Sequence, residues 1–133
     1  MNQTDERHLR AAEGWLDLDE PIEAAGELES ISPEARAHPA VLLLRCRLYL
    51  EIHKPDYTHV IATALTKQSP AVPDGWFYLA CACARLTMYD DARAALKNCL
   101  VAAAKLDEEK KWQNRALETR ELDGFWCQDQ QNI

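Results

Sequence analysis

The sequence is poor in glycine, which supplies only 4 of its 133 residues, and this scarcity bears on catalysis. Phosphate-binding loops need clustered glycines, and the chain has no such cluster. The G-x-S-x-G motif of serine hydrolases and the H-E-x-x-H motif of zinc proteases are missing too. The four histidines are scattered and predicted to be surface or capping residues: His8, His38, His53 and His59. We therefore expect no enzymatic activity.

Basic residues are outnumbered, with 15 Lys and Arg against 22 Asp and Glu and a formal net charge of −7. Nucleic acids and anionic membranes are bound through dense basic surfaces, so neither is expected as a partner. The sequence has no run of 18 apolar residues that could span a membrane. Its opening stretch, MNQTDERHLR, is too polar for a secretion signal. The expected location is the cytoplasm.

Cysteine is present in a pattern that favours neither disulfides nor a metal site. The chain has five cysteines, an odd number, and four of them lie in predicted helices. Cys81 and Cys83 are separated by about 200° around a helix, so they cannot hold one ion together. We expect reduced, mostly packed thiols, no metal and no cofactor. Cys127, near the end of the sequence, is the thiol expected to be most exposed.

The chain does contain a strong helix–turn–helix pattern over residues 75–100. Apolar residues recur at helical spacing on both sides of a predicted turn, and small residues alternate with large ones. They are Trp76, Leu79, Ala80 and Cys83 in the first half, and Tyr89, Ala92, Leu96 and either Cys99 or Leu100 in the second. One such pair cannot bury its apolar faces alone, so copies are expected beside it.

The copies recur at an interval of 34 residues. This interval links Ala12, Cys46 and Ala80, and three positions later Trp15, Tyr49 and Cys83. A 34-residue helix–turn–helix with the pattern W-x2-L-small-x2-aromatic resembles the tetratricopeptide (TPR) repeat. The third copy shows the pattern best, with Cys83 at the usual aromatic position. The other copies resemble it through Leu42, Tyr57, Ala62, Leu65 and Pro70, and through Ala24, Leu28 and Ile31.

The resemblance implies an all-α fold, an α-solenoid of three TPR-like repeats in a single domain over residues 1–133. The repeats are predicted at about 5–38, 39–72 and 73–106, with a C-terminal capping helix within 107–127. The chain also resembles small bacterial TPR proteins of uncharacterised role. That similarity includes residues 13–16, 27–31, 38–42, 75–76, 79–81, 115–117 and 121–126. It implies no assigned activity.

The second helices of the copies do not keep the same interval when Ala24, Val60 and Ala92 are aligned. They are then 36 and 32 residues apart. This alignment predicts two extra residues in the middle turn, at 53–56, and looser packing at Val60, where the repeat prefers alanine.

In TPR proteins the first helix of each repeat lines a concave groove, and the resemblance implies a corresponding groove here. The predicted partner-binding residues are Leu9, Glu13, Leu16, Leu43, Arg47, Leu50, Phe77, Cys81 and Arg85. We expect a non-catalytic adaptor or scaffold that binds a protein partner there and is a monomer or weak homodimer. The alternative is a dedicated chaperone for an aggregation-prone partner, like the small acidic TPR chaperones of bacterial secretion systems. A further alternative is that these apolar residues are simply core, shielded by the protein's own tail.

TPR co-chaperones hold a C-terminal carboxylate with Lys and Asn at certain groove positions. The matching positions here are Leu9, Glu13, Leu44, Asp74 and Tyr78. None of these side chains can clamp a carboxylate, and the two acidic ones repel it. The mainly apolar groove instead suits an amphipathic helix or an extended apolar peptide.

The C-terminal segment carries too many large apolar residues to be fully solvated: Trp112, Leu117, Leu122, Phe125 and Trp126. It can dock on the exposed end of the fifth and sixth helices or on the concave face beside Leu43, Leu50 and Phe77. We favour the first position, because a helical stack needs a cap at its end.

Overall fold

The structure, a computed structural model, describes residues 1–122, and those residues contain helices and no strand. The α-helices are α1 (Gln3–Asp17), α2 (Pro21–Glu29), α3 (Pro39–Glu51), α4 (Pro55–Gln68), α5 (Pro73–Arg85), α6 (Tyr89–Lys105) and α7 (Glu109–Glu118). Short 3₁₀ turns lie at Pro33–Ala35 and Arg120–Leu122. The all-α prediction is confirmed. Over the same residues, no helix has the length and apolar character needed to cross a bilayer.

Proline sets the start of four helices, α2 to α5, through Pro21, Pro39, Pro55 and Pro73. A proline at the first helical position loses nothing, because the amide hydrogen that it lacks has no partner inside the helix. Its restricted φ also suits the helix. These prolines therefore fix the boundaries of the middle helices from the sequence itself.

Four helix ends share one turn, in which a residue other than glycine adopts the left-handed conformation. The residues are Asp19, His53, Thr87 and Asp107, with φ values of 58°, 62°, 61° and 57°. In each turn the next amide donates to a carbonyl five residues back, as from Lys54 N to Tyr49 O over 2.7 Å. This bond satisfies a carbonyl that the helix end leaves unpaired. The first three of these residues are 34 apart, so the predicted insertion at 53–56 is wrong.

The second helices also keep the 34-residue interval, but in a different register from the one predicted. The equivalent buried residues are Ala24, Thr58 and Ala92, each with 0% exposure, whereas Val60 is 68% exposed. The difference arises because α4 begins at Pro55, so that proline occupies the place that Tyr89 takes in α6. The prediction of loose packing at Val60 is therefore wrong.

The buried side chains repeat at the same interval along the rest of each helix pair. Four further sets are buried in all three copies: Ala12, Cys46 and Ala80; Leu16, Leu50 and Ala84; Leu28, Ala62 and Leu96; Ile31, Leu65 and Cys99. The periodicity of the sequence is thus matched by a periodicity of burial. This is the pattern expected when one structural unit is stacked on copies of itself.

Each helix packs against the next one in the chain, and α1, α3 and α5 also contact one another in that order. The core has two clusters, and α3 contributes to both of them. Val41 and Leu48 pack with α1 and α2, while Cys46 and Leu50 pack with the helices that follow. Helix α3 therefore joins the two halves of the core.

The C-terminal segment packs on the last helix pair, with α7 against α6 and the final 3₁₀ turn against α5. Trp112 is 1% exposed, and its ring centroid lies 5.5 Å from that of Phe77. Leu122 is fully buried in the same cluster. The segment thus packs on the fifth and sixth helices, the first docking position considered above, while Trp112 also contacts Phe77, which was named for the second position. Phe125, Trp126 and Cys127 lie outside the described residues.

Candidate functional site

A cleft of about 320 Å³ lies where α1, α3, α5 and α7 meet. Because α1, α3 and α5 lie side by side, the first helices of the three pairs supply most of its wall. The lining residues are Leu9, Glu13, Ala40, Leu43, Leu44, Arg47, Asp74, Tyr78 and Arg115. Leu9, Leu43 and Leu44 are each partly exposed, so the cleft has an apolar strip that solvent can reach.

Arg47, on α3, is already engaged by two carboxylates. Its Nη2 donates to Asp17 Oδ1 over 2.9 Å, and its Nε donates to Glu51 Oε1 over 3.3 Å. Partial burial acts to lower the pKa of Arg47, but the hydrogen bond and charge of Asp17 and the charge of Glu51 outweigh it and raise the pKa. The guanidinium therefore stays charged while its charge is balanced locally.

Arg115, on α7, is held by aromatic rings. Its guanidinium carbon lies 4.3 Å from the ring centroid of Phe77, 4.9 Å from that of Trp112 and 5.6 Å from that of Tyr78. Its Nη2 also donates to the Tyr78 hydroxyl oxygen over 3.2 Å. Burial raises the pKa of Tyr78 despite the opposing effect of Arg115, so the phenol stays neutral. These contacts fix the arginine at the edge of the cleft.

Glu13 and Asp74 are the acidic residues of the cleft wall. Glu13 is exposed on α1, and Asp74 is partly exposed in the first turn of α5. Within residues 1–122, neither carboxylate lies within ion-pairing distance of a basic side chain. Within the described residues, Arg47 is thus paired with carboxylates, whereas Glu13 and Asp74 have no basic partner and Arg115 has aromatic and hydroxyl contacts but no acidic partner.

The nine predicted groove residues fall into three groups. Leu9, Glu13, Leu43 and Arg47 line the cleft. Leu16, Leu50, Phe77 and Cys81 are instead buried, with exposures of 1%, 7%, 4% and 1%. Burial removes these four from any surface that a partner can reach, which corrects their placement in an open groove. Phe77, for example, is covered by the Trp112 ring and the Arg115 guanidinium.

Arg85 forms the third group, because it lies outside the cleft. Its Nη2 is 3.2 Å from Glu121 Oε1, and its Nη1 donates to the Leu50 carbonyl oxygen. Arg85 therefore links the end of α5 to the final 3₁₀ turn and to α3.

The five positions matched to the co-chaperone clamp all line the cleft: Leu9, Glu13, Leu44, Asp74 and Tyr78. Sequence reasoning missed Ala40 and Arg115. The signal that could have identified Arg115 is the same 34-residue interval, which leads from Glu13 through Arg47 and Cys81 to Arg115. Continued one step further, it places α7 in register with α5.

The thiols of the described residues are core groups. Cys46, Cys81, Cys83 and Cys99 are all buried and unpaired. Burial raises the pKa of Cys46 and of Cys99 to about 12, and it raises those of Cys81 and Cys83 as well. Within residues 1–122, no group of three His, Cys, Asp or Glu side chains is arranged to hold a metal ion.

Searches with this chain against protein-family models, curated proteins and solved structures find no match.

Proposed function

We propose that the three helix pairs are TPR repeats, at about residues 5–38, 39–72 and 73–106, closed by α7 as a capping helix. The 34-residue interval supports this proposal, because both the buried side chains and the first three left-handed turns recur at that interval. The continuous contact of α1, α3 and α5 also fits a superhelical stack of repeats.

On this basis we propose that the protein is a non-catalytic interaction module that binds a segment of another protein in the cleft. The observation that carries the proposal is the partly exposed leucine strip of Leu9, Leu43 and Leu44 between charged side chains. An apolar strip with a polar rim is the usual anatomy of a protein interface. An amphipathic helix that lays its apolar face in the cleft is the binding mode that fits it best.

Co-purification from cells of the native host tests this function with two matched variants. Leu9→Ser with Leu43→Ser removes two apolar side chains from the cleft wall. Ile22→Ser with Val60→Ser removes two apolar side chains that are 82% and 68% exposed and lie outside the cleft. We expect a partner that the wild type and the Ile22/Val60 variant retain and that the cleft variant loses, while all three keep their helical circular dichroism.

Equal retention by all three proteins would show that the cleft is not the binding surface. The identified partner also separates the adaptor from the chaperone alternative. A partner that is soluble alone supports the adaptor, and one that aggregates unless co-expressed with this protein supports the chaperone.

A further inference from the structure

We infer that the cleft selects a basic amphipathic segment, one whose leucine-type side chains lie on the apolar strip while Lys or Arg side chains reach Glu13 and Asp74. This inference rests on the proposed function and adds the chemistry of the partner to it. It follows from which charged groups of the cleft are already satisfied by the fold.

The positive charges have partners within the fold. Arg47 is paired with Asp17 and Glu51, and a ligand carboxylate would have to compete with both. Arg115 lies against the Phe77 and Trp112 rings and donates to the Tyr78 hydroxyl, so its guanidinium is held in place by the fold. Among the lining residues, an acidic ligand therefore finds only Arg115 without a carboxylate partner, whereas a basic ligand finds both Glu13 and Asp74 without a basic one.

The negative charges remain available on both sides of the apolar strip. Glu13 lies on α1 and Asp74 on α5, and α3, which carries Leu43 and Leu44, contacts both of those helices. A segment that lies along α3 thus has a carboxylate on each flank. Neither carboxylate has an ion pair with another residue of the 1–122 region, so a ligand cation does not need to displace one.

The net charge of the whole chain also favours a basic partner. With a formal net charge of −7, the protein attracts cationic segments over a distance set by the ionic strength. Such attraction speeds the encounter but does not choose the binding surface. An experiment must therefore separate the effect of Glu13 and Asp74 on affinity from the effect of the net charge.

Binding of three fluorescein-labelled synthetic helices to the full chain provides that test. The helices share one leucine pattern and carry Lys, Gln or Glu at every polar position, and affinity is measured by fluorescence anisotropy. We expect the Lys helix to bind tightest and the Glu helix weakest. Glu13→Gln with Asp74→Asn should weaken Lys-helix binding roughly two- to thirtyfold, the range for two exposed ion pairs.

The matched control is Glu23→Gln with Asp56→Asn, which changes the net charge equally at exposed positions on α2 and α4. It should leave Lys-helix binding within about twofold of the wild type, because longer-range charges are screened. An equal loss in the control would overturn the inference in favour of bulk charge attraction. Tighter binding of the Glu helix would overturn it in favour of an acidic partner.

Failure of the underlying function gives a different result. In that case none of the three helices binds, or Leu9→Ser with Leu43→Ser leaves the binding of all three unchanged. If that leucine variant weakens all three helices but the Glu13/Asp74 variant changes none, the cleft is an apolar receptor and only its charge preference is refuted.

Discussion

Thr58 in α4 donates its hydroxyl hydrogen to the carbonyl oxygen of Cys46 in α3 over 2.9 Å, and both residues are fully buried. The corresponding position in the other two helix pairs is held by Ala24 and Ala92. The hydrogen bond allows a polar residue to occupy an alanine position, because a buried hydroxyl without a partner is costly. It also links the two helices of the middle pair directly.

Thr58→Val removes this hydrogen bond and keeps the shape of the side chain. We expect it to lower the free energy of unfolding by about 1 kcal/mol, a usual contribution for one buried hydrogen bond. Urea unfolding followed by circular dichroism measures the change. Thr63→Val is the control, because the Thr63 hydroxyl bonds only within its own helix, to His59 O. An equal loss in both variants would refute an inter-helix role for Thr58.

Trp112→Ala should be the most damaging single substitution in α7. The indole is 1% exposed and packs against Phe77 and Arg115, and removing a buried aromatic side chain typically costs about 3–5 kcal/mol. Leu117→Ala, on the same helix but 44% exposed, should cost far less. Thermal and urea unfolding of the two variants test this difference. Equal stability of both variants would mean that α7 is not anchored through Trp112.

Asp5 should make stability depend on pH. Its buried carboxylate accepts hydrogen bonds from the Ser32 hydroxyl, at 2.6 Å, and from the Ser32 amide, at 2.8 Å. These bonds lower its pKa below the ordinary 3.8, so the folded state binds its proton less readily than the unfolded chain. The stabilisation is therefore complete above the unfolded pKa and is lost as the pH falls through the folded one.

Asp5→Asn should accordingly lower the urea midpoint at pH 7, and its difference from the wild type should shrink below about pH 4. Glu6→Gln, which removes an exposed carboxylate in the same turn of α1, is the control and should show a much smaller effect. A difference between Asp5→Asn and the wild type that does not change with pH would contradict the assignment.

The four buried thiols should be inert in the native protein. Their raised pKa values leave little thiolate at neutral pH, and their burial blocks the reagent. A Cys127→Ser variant isolates them. With Ellman's reagent at pH 7.5 we expect almost no colour within minutes, and four equivalents after addition of guanidinium chloride. If one equivalent of thiol reacted within minutes in the native protein, one of these helices would have to open readily.

Thr87→Gly should stabilise the protein. Thr87 is exposed with φ of 61°, a conformation that a β-branched residue adopts only at a cost and that glycine adopts freely. We expect a gain of about 0.5–1 kcal/mol, since the relief of roughly 1–2 kcal/mol is partly offset by the freedom of glycine in the unfolded chain. Chemical denaturation measures it, with Thr87→Val as the control that keeps the branched side chain. A gain in Thr87→Val equal to that in Thr87→Gly would exclude backbone relief as the cause.

The sequence was sufficient for the helices, because apolar spacing and the prolines at Pro21, Pro39, Pro55 and Pro73 determine them locally. The sequence was misleading at α4. Tyr57 resembles Tyr89, the first residue of α6, but α4 begins two residues earlier, at Pro55. The burial of four of the nine predicted groove residues was equally hard to foresee. Leu50 and Phe77 lie on the expected helices, but whether a side chain is open or covered depends on how neighbouring helices pack over it. Arg115 required the 34-residue interval to be continued into a segment of different composition.

The fourth left-handed turn, at Asp107, leads into a helix that is in register with α5. Within residues 1–122, the three helix pairs are therefore followed by one helix in the register of a first helix. A tandem duplication of 34 residues within such a chain leaves every existing neighbour in place and adds one more helix to the wall of the cleft. On the proposed function, such a duplication lengthens the segment that the cleft can bind by a whole unit, without the redesign of any junction.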